Sequence, residues 1–155
     1  MELITTEGDL LDQQVEVIVN SWNRNLIPWW LLLPQGVSGA IKRRAGVAPF
    51  LELRKQGVLP LGGAAMTGAG RLSYKGIIHV AGIGHLWTSS ERSIRLSVRN
   101  ALGLAKGRGI RSVAFPLIGA GTGGTDEQTV EAWMKEEIQV SDFIGKVVIV
   151  RYKKG

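Results

Sequence analysis

An apolar run, Phe115-Pro116-Leu117-Ile118, passes directly into Gly119-Ala120-Gly121-Thr122-Gly123-Gly124, and then into a segment patterned as a helix. That junction constrains the chain more than any other feature, because it requires a strand to feed a helix through a loop almost without side chains. Backbone N–H groups in such a loop can converge on an anion, since nothing blocks the approach. The start of the next helix adds partial positive charge. No Lys-Ser/Thr pair follows the glycines, so a P-loop nucleotidase is not indicated. Read alone, the loop is equally compatible with a turn that holds no ligand.

The rest of the chain repeats the strand-to-helix pattern. Glu2 to Thr6 and Val15 to Val19 read as short strands, the second rich in β-branched residues. Gly36 to Arg44 reads as a helix, and a second begins around Pro49 and stops at Gly57. Gly63 to Ala69 and Gly76 to Ala81 read as strands, the latter apolar enough to be central. After Ser89-Ser90, Ile94, Val98, Ala101, Leu102 and Ala105 recur at helical spacing, with Arg92, Arg95 and Arg99 on another face. Ser112 to Pro116 is a buried strand. Thr125 and Gln128 predict a capping box for a helix that turns Val130, Trp133, Met134 and Ile138 inward. Lys146 to Tyr152 closes the chain as a strand. Alternation of this kind predicts an α/β fold with helices on both faces of a mixed sheet, in one domain spanning 1–155. Ligands in such sheets sit on the loops at the carboxyl ends of the strands.

Composition narrows the function classes. The chain has 155 residues, no cysteine and two histidines, so neither disulfides nor a thiolate or histidine-rich metal centre is expected. No long uncharged apolar run suggests a membrane span, and the N-terminus does not resemble a signal peptide, so the expectation is a cytoplasmic protein. A formal net charge of +6 points to anionic partners without choosing among phosphorylated small molecules, nucleic acids and acidic proteins.

Two more segments carry chemistry at strand ends. Gly8-Asp9-Leu10 follows the first strand, where a carboxylate can accept a hydrogen bond from an exocyclic amine or cap a turn. Asn20-Ser21-Trp22-Asn23 ends the second strand, and Gly36-Val37-Ser38-Gly39-Ala40-Ile41 opens the next helix. The asparagines can bond ribose hydroxyls or brace the loop, and Gly36 allows a phosphate or sugar to approach. His79 lies inside the GIIHVA strand and reads as a core histidine; His85, on the loop after it, is an even choice between surface and ligand contact.

The order and spacing of these four pieces resemble the macrodomain family over nearly the whole chain. The resemblance implies a three-layer α/β/α fold, ADP-ribose or an ADP-ribosylated protein as partner, with ADP-ribosylated nucleic acid as a further carrier, and no cofactor. It places Asp9 on the adenine amine with the Leu10 backbone beside it, and Tyr152 against the adenine ring. Gly36, Val37 and Ser38 would line one side of the pyrophosphate and Gly119, Ala120, Gly121, Thr122 and Gly123 the other. Asn20 belongs to the ribose-side motif, and Asn23 would contact the distal ribose.

Three departures from the family pattern bear on activity. Ser38 stands where many hydrolytic members carry an aspartate, and a serine hydroxyl without a partner is a poor base. The stretch Arg24 to Gln35, with Trp29 and Trp30, is longer than usual and reads as a packed loop or as a lid. Gly123 replaces a frequent aromatic. The expected function is therefore ADP-ribose binding with hydrolysis of ADP-ribosyl groups from protein, Asn23 and Ser38 being the catalytic candidates. A non-catalytic ADP-ribose reader is the alternative, and a module binding RNA or DNA through the Arg92/Arg95/Arg99 face and Lys42-Arg43-Arg44 is a third.

Overall fold

The computed structural model describes residues 1–23, 36–57, 60, 62–83, 90–120 and 125–153, with backbone alone for 22–23, 36–39 and 82–83. Six strands form one sheet: β1 (Glu2–Gly8), β2 (Val17–Asn23), β3 (Ala64–Thr67), β4 (Gly76–Ile83), β5 (Ser112–Pro116) and β6 (Lys146–Tyr152). Their order across the sheet is β1-β6-β5-β2-β4-β3. All neighbours are parallel except β3, which runs antiparallel to β4 at one edge. The sheet is mixed, as expected.

Four helices cover it: α1 (Gly36–Ala45), α2 (Ala48–Lys55), α3 (Glu91–Gly107) and α4 (Glu127–Val140). Alternation along each strand sorts the apolar side chains between two cores. Val17, Val19, Ile78, Val80, Val113, Phe115, Val147 and Ile149 meet α3 and α4 on one face. Ile18, Ile77, Ala114, Val148 and Val150 meet α1 and α2 on the other. A parallel strand covered on both faces loses its polar alternation, which is why β2, β4 and β5 read as near-continuous apolar runs. The result is the three-layer α/β/α arrangement.

Strand ends shift from expectation by one to four residues in β1, β2, β3 and β4, and two differences bear on the loops. Strand β2 continues to Asn23, because pairing with β4 extends it past the β-branched run, with a register shift between Ser21 and Asn23. Helix α4 is capped by Asp126, whose carboxylate accepts from Thr129 N at 3.2 Å, and not by the Thr125–Gln128 box. Thr125 lies one residue ahead of the cap position, because the helix begins at Glu127, and its backbone is in a bridge with Ala120. Ser90 caps α3 in a reciprocal box with Ser93, four residues ahead of Ile94, where the apolar periodicity begins.

Candidate functional site

Because β1, β6, β5, β2 and β4 are parallel, their carboxyl ends share one end of the molecule. The loops predicted to carry chemistry leave from these ends. Gly8 pairs in register with Tyr152, so Asp9 follows the strand end beside the one that carries the tyrosine. Tyr152 is 71% exposed, which leaves its ring open to solvent. Asp9 caps a 3-10 turn at Leu10–Asp12, its Oδ1 accepting from Leu11 N at 2.9 Å. Its Oδ2 has no hydrogen bond within the described residues. Leu10 is buried in the core beneath. Capping therefore uses one oxygen of the carboxylate and leaves the other available as an acceptor among the described residues.

The glycine loop is fixed at its base. Gly119 is buried with φ of 78°, a left-handed conformation that favours glycine. Ala120 bridges Thr125, and Thr125 N donates to Gly119 O at 3.5 Å, so the two described ends of the loop are tied to each other. Gly121, Thr122 and Gly123 themselves lie outside the described residues. The helix that follows contributes less to an anion site than expected, because Asp126 and Glu127 already occupy its N-terminus. The better dipole belongs to α1. It starts at Gly36 and has no acidic residue in its first turn, so the backbone N–H groups of Gly36, Val37 and Ser38 are the donors a helix start leaves unpaired.

Asn20 is placed differently from a surface ribose contact. Its side chain is fully buried, and its Nδ2 lies 3.0 Å from His79 Nδ1. His79 Nε2 is 2.8 Å from Thr67 Oγ1, whose hydroxyl is 2.9 Å from Gly68 O. With the threonine hydroxyl donating to Gly68 O, the imidazole must donate from Nε2 and accept at Nδ1 from the asparagine. Burial pushes the His79 pKa down to about 3, so the ring is neutral in this chain of bonds. The edge of His79 also meets Phe50, ring centres 5.9 Å apart. His79 is thus the satisfied core histidine that the sequence suggested. The bond from Asn20 was not visible in sequence, where the two residues are 59 positions apart; a polar residue in each of two adjacent apolar strands was the only signal.

Asn23 ends β2 and Ser38 lies in the first turn of α1, so the backbone brings the catalytic candidates to the sheet end that also carries the glycine loop. His85, Trp29 and Trp30 lie outside the described residues. No group of three or more His, Cys, Asp or Glu positioned for a metal occurs among the described residues. No described helix is long and apolar enough to cross a membrane. Two arginines of the α3 face are used internally: Arg95 pairs with Glu91 at 2.8 Å and with Glu136 of α4, and Arg99 reaches Glu137 at 3.4 Å, while Arg92 is exposed and has no such pair among the described residues.

A mixed six-stranded sheet between helix pairs, with a glycine loop and a helix start at one strand end, is the architecture of a macrodomain, and the chain belongs to that family. The Macro domain family model matches residues 19–134. The chain is 35% identical over 152 residues to an O-acetyl-ADP-ribose deacetylase of Salmonella typhimurium, covering 92% of this chain and 79% of that one. It is 33% identical over 157 residues to a macro domain-containing protein of Listeria monocytogenes, covering 91% and 85%. Among solved structures, a variant of the Oceanobacillus iheyensis macrodomain with ADPR superimposes with a TM-score of 0.81 at 30% identity, over 97% of this chain and 84% of that one. The same macrodomain with ADP gives 0.79 at 30% identity, over 95% and 81%.

Proposed function

We propose that residues 1–155 act as one module that binds ADP-ribose at the carboxyl ends of β1, β2, β5 and β6 and hydrolyses ADP-ribosyl groups from protein. The observation that carries the reading is convergence: Asp9, the start of α1 and the pinned Gly119 turn all sit at one end of the sheet. The ADPR and ADP bound to the Oceanobacillus macrodomain supply the ligand class. In this reading Asp9 Oδ2 accepts from the adenine amine beside the Leu10 backbone, and the Tyr152 ring stacks on the base. The N–H groups of Gly36, Val37 and Ser38 face one side of the pyrophosphate, and Gly119 to Gly123 the other.

Hydrolysis would proceed by water attacking the anomeric carbon of the distal ribose through an oxocarbenium-like transition state. The bond from that carbon to the modified side chain breaks, a bond to the water oxygen forms, and the proton released by water passes to the leaving group. Asn23 would orient the ribose and Ser38 the water, with much of the acceleration coming from holding both in place. Asn20 supports this arrangement from inside the sheet and is not assigned a ligand contact. The deacetylase name of the Salmonella relative supports hydrolytic chemistry at such a site.

Ser38 in place of an acid favours a second reading, a reader that binds without turnover. Release of ADP-ribose from a mono-ADP-ribosylated protein, alongside calorimetry with free ADP-ribose, separates the two. Turnover above the uncatalysed rate that falls in Asn23→Ala supports the hydrolase. Micromolar binding with no release leaves the reader. Unchanged affinity in Gly121→Glu, which fills the glycine loop and sets a carboxylate against phosphate, removes both.

A further inference from the structure

The ends of the strands remote from the glycine loops are approached by segments 12–16, 68–75, 108–111 and 141–145, and by the C-termini of α1, α3 and α4. This end is laced together by backbone bonds: Arg71 N donates to Ala45 O, Lys75 N to Glu16 O, and Lys146 N to Arg111 O. Its cations divide in two. The lysines are engaged: Lys75 pairs with Glu16, Lys106 with Asp142 at 2.6 Å, and Lys146 Nζ reaches Gln14 O at 3.5 Å. The arginines are not. Among the described residues, the side chains of Arg43, Arg71, Arg108 and Arg111 are exposed and enter no ion pair or hydrogen bond. Arg44 is held only by a 3.7 Å contact with Asp12. Arg44 and Arg71 also line a recess with Asp12, Gln13, Ser73 and Tyr74, the Asp12 carboxylate being the one that Arg44 contacts.

Helix C-termini attract cations through the dipole, which accounts for Arg43, Arg44 and Arg108 individually. It does not account for Arg71 and Arg111, which sit in loops. Like charges gathered without counter-ions destabilise a compact molecule, whereas Arg95 and Arg99 of α3 are paired with glutamates of α4. Guanidinium forks match phosphate bidentately and are weakly hydrated, so an unpaired Arg71 at the recess, beside an Arg44 held only at 3.7 Å by Asp12, suits a projecting phosphate. Tyr74 donates its hydroxyl to Gln13 O at 2.9 Å, and Phe143 is buried, so neither offers an open ring for base stacking.

We infer that this end of the molecule docks the phosphodiester backbone of a nucleic acid without reading its sequence, one phosphate entering the recess between Arg44 and Arg71. The surface is separate from the ADP-ribose loops and stands independently of the function proposed for them. It would hold the module on a nucleic acid while the opposite end remains open to ligand.

The test is fluorescence anisotropy with a labelled 20-base-pair DNA duplex, on the full chain. With four or five phosphates neutralised, affinity should fall on the order of 100-fold between 50 and 200 mM salt. Arg43→Glu/Arg71→Glu and Arg108→Glu/Arg111→Glu should each weaken binding at least tenfold. Arg92→Glu/Lys135→Glu, with the same change in net charge elsewhere, should weaken it less than threefold. Saturating ADP-ribose should leave duplex binding unchanged. Absent or salt-insensitive binding, displacement by ADP-ribose, or equal losses in the control pair would each overturn the inference. So would tight binding to phosphatidylglycerol vesicles at a salt concentration where the duplex does not bind, which would assign the surface to a membrane. Calorimetry with ADP-ribose alone judges the other end separately.

Discussion

At the scale of single residues, two side chains have consequences that can be measured apart. Asp9 has a carboxylate oxygen in a cap and another without a partner, so removing it affects both the turn and the proposed adenine contact. Asp9→Asn keeps the cap through its amide oxygen, while Asp9→Ala loses it. Both should weaken ADP-ribose binding, Asp9→Ala by roughly 1–3 kcal/mol in calorimetry, while only Asp9→Ala lowers the melting temperature. Equal affinity in all three proteins would remove Asp9 from the site. His79 acts on stability instead. Its folded pKa of about 3 lies below the ordinary 6.5 of the unfolded chain, so the unfolded state binds the proton first. The contribution is present above about pH 6.5 and is lost as pH falls towards 3, at roughly 5 kcal/mol as an upper bound. His79→Gln should be less stable at pH 7, with two partners poorly matched, yet show a shallower loss of urea stability between pH 6.5 and 4 than the parent chain. Parallel pH profiles would show that burial of His79 is not a source of acid sensitivity.

At the scale of elements, what could be read depended on how local the cause was. Ser112–Pro116 and Lys146–Tyr152 fall where expected because both are apolar runs that open after a polar or glycine residue, Arg111 and Gly145, and nothing distant needs to be known. Strand β2 outran its expected end because Asn20 to Asn23 has weak intrinsic strand preference and is extended by pairing with β4. The α4 cap falls on Asp126 because the helix begins at Glu127, one residue later than the Thr125–Gln128 pattern suggests, while Thr125 bridges Ala120. The candidate site followed the same rule. That Asp9, Asn23, Gly36 and Gly119 reach one end of the sheet follows from strand-to-helix alternation, while the burial of Asn20 against His79 depends on a contact between separate strands. The cap assignment is directly testable. Asp126→Ala should cost about 1 kcal/mol of unfolding free energy, and Thr125→Ala, which leaves the backbone bridge intact, less than about 0.5 kcal/mol. The reverse order in chemical denaturation would restore the Thr125 box.

At the scale of the whole molecule, the sheet joins Glu2 at the first strand to Tyr152 at the last, and β6 sits between β1 and β5. Neither half of the chain can complete the sheet alone: among the described strands β1 pairs with β6 alone, and β5 has β2 on its other side. The two cores are separated only by the sheet itself, so loss of either exposes the strands shared with the other. A chain wired this way should unfold as one cooperative unit, and a ligand at the carboxyl ends of β1, β2, β5 and β6 should stabilise all of it together. At a hundredfold excess over its dissociation constant, ADP-ribose adds about 2.7 kcal/mol, which for a domain of this size corresponds to a rise in melting temperature of roughly 5–10 °C. Calorimetry should show a single transition that moves as a whole, with equal calorimetric and van't Hoff enthalpies. Two transitions, of which ADP-ribose moves one, would divide the chain and place the binding loops in a unit smaller than the six-stranded sheet. A single transition that ADP-ribose leaves in place would keep the module and reject the ligand.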